Sequence, residues 1–195
     1  MSPPRSEAPR PITPWATVLV AVLALILTVS RAWEQAWIFD RPAILHGEWW
    51  RLWTGNFVHF GALSLWGNLA VLVPAGIWVE RIAPGRTRWM LALAPGLIGA
   101  LLLMLEPTLL HFGGLSGLTA GVLTLLVFEQ TSRRGGDAWL WWAMLGLLVL
   151  KILIELYSGR SLFAPVADPG LRPVPLAAVA GVVSARGAYL WRRRI

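Results

Sequence analysis

The run His111-Phe112-Gly113-Gly114-Leu115-Ser116-Gly117 sets one small hydroxyl between glycines at the start of a hydrophobic stretch. Glycines on both sides leave the serine oxygen and its backbone N–H uncovered. A nucleophile beside a donor for developing negative charge is what acyl transfer needs. Such a serine also needs a base to take its proton, most often histidine. No histidine follows His111 anywhere in the sequence.

Four other polar residues stand in apolar surroundings. Ser64 and Asn68 are four apart and share one helix face, so both can be aimed at the same neighbour. Asn68 offers a side-chain amide as an oxyanion donor, and Ser64 a shorter and weaker hydroxyl. Hydrogen bonding between packed membrane helices, about 0.6 kcal/mol on average, accounts for the same pair without chemistry. Lys151 and Glu155 are also four apart. A lysine stripped of water is able to act as a base in a serine–lysine dyad, whereas an ion pair with Glu155 keeps it charged and removes it from that role.

The chain that must position these groups has 195 residues, 56% of them hydrophobic and only 14% charged. Soluble domains carry roughly 25% charged residues, so this is the composition of an integral membrane protein. There is no cysteine, which excludes disulfides and thiolate chemistry. Three histidines, His46, His59 and His111, are too few and too scattered for a metal site. The net charge of +7 comes from arginines in short clusters between apolar runs. That pattern marks topology and anionic lipid contacts rather than nucleic acid.

Segments long enough for a bilayer core of ~30 Å fall at Trp15–Ser30, Ala62–Val79, Trp89–Met104, Leu115–Phe128, Ala138–Tyr157 and Val174–Trp191. The fourth is short for a span and is expected to sit deep among the others. Six crossings put both termini on one side. Arg5, Arg10, Arg81, Arg86, Arg88, Arg133, Arg134, Arg192, Arg193 and Arg194 fall on that side. Arg31, Arg41, Arg51, Arg160 and Arg172 fall on the other, and this bias makes the termini cytoplasmic. The first span resembles a signal peptide, but no small-residue cleavage site follows it. Residues 1–14 read as a flexible Pro-rich tail, and 15–195 as one membrane domain. No internal repeat points to an inverted-repeat transporter. The stretch Arg31–Trp53 is too polar to span and carries Trp33, Trp37, Trp49, Trp50 and Trp53. Indoles favour the headgroup level, so this first loop is expected to lie half immersed with its backbone polar groups satisfied internally.

Taken together, these residues resemble the rhomboids, a family of intramembrane serine proteases. Glu48-Trp49-Trp50-Arg51 is similar to the Trp-Arg element of the first rhomboid loop. His59 and Asn68 fit the family's His-x4-His-x3-Asn pattern, with Ser64 at the middle position. Glu80 and the arginines after it resemble the turn between spans two and three. Gly114-Leu115-Ser116-Gly117 matches the nucleophile motif. The resemblance covers residues 48–191. The compact plan and Lys151-x3-Glu155 look most like the rhombosortase branch, thought to process bacterial surface proteins bearing a Gly-Gly-containing C-terminal sorting segment.

The resemblance implies an all-α bundle of six transmembrane helices with an interfacial first loop, in a bacterial inner membrane. It implies Ser116 as nucleophile, Asn68 and Ser64 as oxyanion donors, and no metal or cofactor. His59 would fasten the first loop, while Gly114, Gly117 and Gly181, with Gly121, serve close packing beside the site. The substrate would be the transmembrane helix of a membrane-anchored protein. The base belongs in the sixth span, where rhomboids carry Ala-His-x2-Gly-x3-Gly. Here Ala178 holds the histidine position and Ala185 that of the last glycine. Losing one member of a coupled dyad costs several orders of magnitude in rate. Either a working protease has been inactivated at Ala178, or the chain is a natural pseudoprotease, for which Ser64 is a second departure. Two other classes stay open: a binder that escorts helices uncut, and a lipid- or ion-handling protein centred on Lys151 and Glu155.

Overall fold

The computed structural model describes residues 12–133, 137–159 and 174–191. Most of the N-terminal tail, the Pro-rich loop after Glu155 and several of the counted arginines (Arg5, Arg10, Arg134, Arg160, Arg172 and Arg192–Arg194) lie outside them. The chain opens with α1 (Trp15–Thr28). The first loop then folds into α2 (Arg31–Trp37), a strand β1 (Phe39–Asp40), α3 (Arg41–Leu45) and α4 (Arg51–Thr54). Next come α5 (Ala62–Ile82), α6 (Pro84–Leu105) and a strand β2 (His111–Phe112). The chain ends in α7 (Ser116–Thr131), α8 (Ala138–Ser158) and α9 (Pro175–Trp191). Among the described residues, α5, α6 and α8 are long and apolar enough to cross a membrane.

Helix α7 is the hub. It packs against α5, α6, α8 and α9, and Leu118, Val122 and Leu125 on it are fully buried. Its 16 residues span about 24 Å, less than a bilayer core, which suits a helix walled off from lipid by its neighbours. Helix α8 is the opposite case. Leu147, Leu150, Leu153 and Tyr157 all stand exposed, and Glu155 is its buried residue. An apolar helix with so little protein against it is one that lipid must cover.

Two of the helix boundaries that differ from expectation have a visible cause. Helix α6 begins at Pro84 rather than Trp89, because proline at the first helical position is already set at a helical φ and lacks only an N–H that would be unpaired anyway. Helix α1 stops at Thr28, and the Ser30 side chain accepts the Trp33 N–H to start α2. The bundle is not purely helical either. β1 pairs antiparallel with β2, Phe39 opposite Phe112 and Asp40 opposite His111, tying the first loop to the segment before Ser116.

The first loop satisfies its own backbone, as a half-immersed segment must. Arg51 donates to the Gln35 and Ile38 carbonyls at 2.9 and 3.0 Å and pairs with Glu48 at 2.6 Å. The Thr54 hydroxyl donates to the Trp37 carbonyl at 2.7 Å. Helix α4 lies on α6 at Pro95, where a helix interior cannot close its own ladder. There Trp53 Nε1 donates to the Ala92 carbonyl at 3.3 Å and Asn56 Nδ2 to the Pro95 carbonyl at 3.0 Å. Trp33, Trp49, Trp50 and Trp53 stay half-exposed, but Trp37 packs against the core instead of standing at the surface.

At the far end of the bundle Glu80 is fully buried. Its carboxylate accepts the Ala16 and Thr17 backbone N–H groups, the Thr17 hydroxyl, and Arg88 at 3.0 Å. Two unpaired donors at the start of α1 are thereby satisfied by a residue from the end of α5.

Candidate active site

Ser116 is the first residue of α7, and Leu115 before it is the cap. The first backbone bond of the helix runs from the Thr119 N–H to the Leu115 carbonyl at 2.8 Å. The N–H groups of Ser116, Gly117 and Leu118 therefore open the helix without an intrahelical acceptor, at the positive end of its dipole. Ser116 is half-buried. That is the geometry of a serine hydroxyl beside anion-favouring N–H groups.

The turn into Ser116 is held from the first loop. Gly114 has φ +142°, a conformation that glycine adopts without strain. Its N–H donates to the Gly55 carbonyl at 3.3 Å, and the Leu115 N–H donates to His59 Nε2 at 3.2 Å. The other ring nitrogen of His59 bonds the Phe57 carbonyl at 3.2 Å. A ring that accepts at Nε2 and donates at Nδ1 is neutral. Burial pushes its pKa down to about 4, against a smaller upward pull from the Phe57 carbonyl. His59 is thus committed on both nitrogens to the backbone around Ser116, and is no base.

Asn68 reaches the same helix. Its Nδ2 donates to the Ser64 carbonyl at 2.8 Å, and its Oδ1 accepts the Thr119 hydroxyl at 3.3 Å. Thr119 lies one turn after Ser116 on α7, so Asn68 and Ser116 are on facing parts of the α5/α7 contact. The half-buried Ser64 lies one turn before Asn68 on α5. Sequence reasoning missed Thr119. The available signal was a polar residue three positions after the serine in an apolar helix.

Helix α9 closes the other side. A Cβ at Gly117 would stand 2.7 Å from the Ala177 carbonyl oxygen, and one at Gly121 2.9 Å from that of Gly181. Gly181 in turn sits directly on the Gly117 carbonyl. Only glycines allow backbones this near. Ala178, 3% exposed, follows Ala177 by one residue and shares a helix face with Gly181 and Ala185. Its neighbour Ala177 lies against Gly117, the residue after Ser116, and Ala178 itself carries only a methyl group. Lys151 Nζ meets Glu155 Oε2 at 2.7 Å on α8. Among the described residues no group of His, Asp or Glu side chains could hold a metal ion.

A rhomboid domain is recognised over residues 46–168, well over half the chain. The chain belongs to the rhomboid family. It is therefore a multi-pass membrane protein on an intramembrane-protease scaffold, and rhomboids act on the transmembrane helices of their substrates within the bilayer. The matched segment contains His59, Ser64, Asn68 and Ser116 and stops short of α9, so Ala178 lies beyond it. No curated protein matches the chain.

Proposed function

We propose that this rhomboid is a serine endopeptidase scaffold of the rhombosortase type, lacking its base and so nearly or wholly inactive as it stands. It sits in a bacterial inner membrane with α1, α5, α6, α7, α8 and α9 as six crossings and both termini in the cytoplasm. The reading rests on one observation above others: Ser116 starts a buried helix whose next turn is hydrogen-bonded to Asn68. Ser116 is the nucleophile, and its own N–H together with Asn68 and Ser64 receives the oxyanion. A substrate helix with a Gly-Gly-containing C-terminal sorting segment would pass between α5 and α8, unwind at its small residues and present a carbonyl to Ser116. Nothing at position 178 can take the serine proton, since a methyl group has no acceptor.

The test restores the base. Ala178→His in the full chain, incubated with a single-span Gly-Gly substrate in liposomes, is expected to cleave at least about 10³-fold faster than the parent. Ser116→Ala on the same background should abolish the gain. No cleavage, and no labelling of Ser116 by a fluorophosphonate in the Ala178→His protein, would overturn the protease reading.

A second reading is a natural pseudoprotease that binds or escorts transmembrane helices uncut. Ser64 favours it, because a second polar position of the family pattern has departed along with Ala178. Under this reading Ala178→His stays inactive while single-span helices still co-purify.

A further inference from the structure

The hydroxyls of helical threonines and serines in this bundle mostly bond back along their own helix. Thr28, Thr87, Thr124, Thr131 and Ser184 each donate to the carbonyl four residues earlier, at 2.7–2.9 Å. That is the default for a hydroxyl in an apolar helix. Thr119 departs from it. The Leu115 carbonyl four residues back takes the Thr119 backbone N–H, and the hydroxyl crosses to α5 and donates to Asn68 Oδ1. Thr119 is 8% exposed, so this hydroxyl has no ready access to water.

The crossing bond does something to Asn68 that its own helix cannot do. A side-chain amide can be turned about by half a rotation, exchanging its oxygen and its NH2 group. With Nδ2 on the Ser64 carbonyl and Oδ1 on the Thr119 hydroxyl, each end meets its complement. Turned about, two carbonyl oxygens would face each other. Nδ2 carries two hydrogens, and the Ser64 carbonyl takes one. The second is the donor that the oxyanion would use. Because Thr119 and Ser116 are one turn apart on a single helix, a hydroxyl on α7 locks a donor on α5 to the nucleophile's own frame.

We propose that Thr119 is a positioning residue that fixes the Asn68 amide for an oxyanion formed at Ser116. The proposal rests on the protease reading above. It also gives Asn68 more of the task than Ser64, whose shorter hydroxyl is held by no bond among the described residues. Removing an oxyanion donor outright costs about 10²–10³ in rate. Releasing one to turn about costs less, on the order of tenfold to a hundredfold.

The experiment compares Thr119→Val, which keeps the shape and removes the hydroxyl, with Thr119→Ser, which keeps the hydroxyl. The probe is a peptide aldehyde, with the corresponding peptide alcohol as reference, titrated in detergent against the full chain carrying Ala178→His, so that Ser116 has its base in every variant compared. The aldehyde adds Ser116 reversibly: an Oγ–C bond forms, the carbonyl π bond breaks, and the hydroxyl proton passes to the hemiacetal oxygen. Thr119→Val is expected to weaken aldehyde affinity at least tenfold while alcohol affinity holds, and Thr119→Ser to restore it. A merely structural role would move both affinities together. An aldehyde-to-alcohol ratio unchanged in Thr119→Val, or not recovered in Thr119→Ser, overturns the proposal.

A second measurement separates this failure from failure of the protease reading. The chain has two asparagines, Asn56 and Asn68, so 15N-asparagine labelling gives two side-chain amide signals. The Asn68 signal should shift in Thr119→Val and stay in place in Thr119→Ser. If the Ala178→His protein binds no aldehyde at Ser116, the protease reading fails. The hold of Thr119 on Asn68 is then decided by that signal alone, and an unmoved signal overturns it.

Discussion

At the scale of single residues, two histidine positions carry opposite consequences. On the proposed reading Ala178 removes a function without unsettling the fold, since an alanine is at home on a crowded helix face. His59 does the reverse: both its ring nitrogens are taken up by backbone groups, and the turn into Ser116 hangs on it. Replacing His59 with alanine leaves the buried Leu115 N–H without its acceptor. The expected cost is about 1–3 kcal/mol, read as a lowered thermal midpoint in detergent. The ring also predicts an acid limit. In the unfolded chain it takes a proton near 6.5, but in the folded protein only near 4. Between those values the unfolded state binds more protons, so the contribution of neutral His59 is complete above about 6.5 and is lost as pH falls through 4. Thermal midpoints of the parent should fall across that window, and those of His59→Gln should fall less. Parallel curves would show that other groups set the acid limit.

At the scale of elements, apolar runs made the six longest helices legible, because length and hydropathy are local properties. The starts of helices were less so. The polar run Pro-Gly-Arg-Thr-Arg reads as a turn, yet it is the first turn of α6, where Arg88 finds Glu80. Most pairings between distant segments were less legible still. No pattern in the sequence shows Phe39 opposite Phe112, or Thr119 against Asn68. The glycine pattern on α7 and α9 was legible, and it yields the sharpest prediction at this scale. Gly181→Leu places a side chain against the Gly117 backbone, so the two helices must part. A loss of ~3 kcal/mol or more is expected, at the upper end for overpacking, because backbone cannot move aside as a side chain can. Gly146 on α8 has open space where a Cβ would go. Gly146→Ala should therefore stay within about 1 kcal/mol of the parent, on the stabilising side. Comparable losses in both variants would mean that α7 and α9 are not in backbone contact.

For the whole molecule, the question is how many times the chain crosses. Helices α5, α6 and α8 are long enough on their own, but α1, α7 and α9 have only 14, 16 and 17 residues. The six crossings proposed above need the short ones to cross as well, and their packing supports that proposal. Helix α7 is surrounded, and α9 lies along it from Ala177 to Gly181. Helix α1 is anchored at its start by Glu80, from the end of α5 remote from Ser116. At that same end Trp78 of α5 meets Trp141 of α8 edge to face at 5.3 Å. Elements that share both a packed flank and an end share a depth in the bilayer. The absence of cysteine allows a direct test, because a single introduced thiol is the only one present. Six crossings predict that Leu45→Cys, Leu110→Cys and Tyr157→Cys react with an impermeant maleimide from the outer side of intact cells. Ile12→Cys, Arg81→Cys, Ser132→Cys and Trp191→Cys should react only after the membrane is opened. All seven positions are exposed on the protein, so a silent site reports the membrane rather than burial. Labelling of Ile12→Cys from outside, with Arg81→Cys still protected, would remove α1 from the set of spans. Labelling of Trp191→Cys from outside would remove α9, and with it the helix that carries position 178 into the membrane beside Ser116.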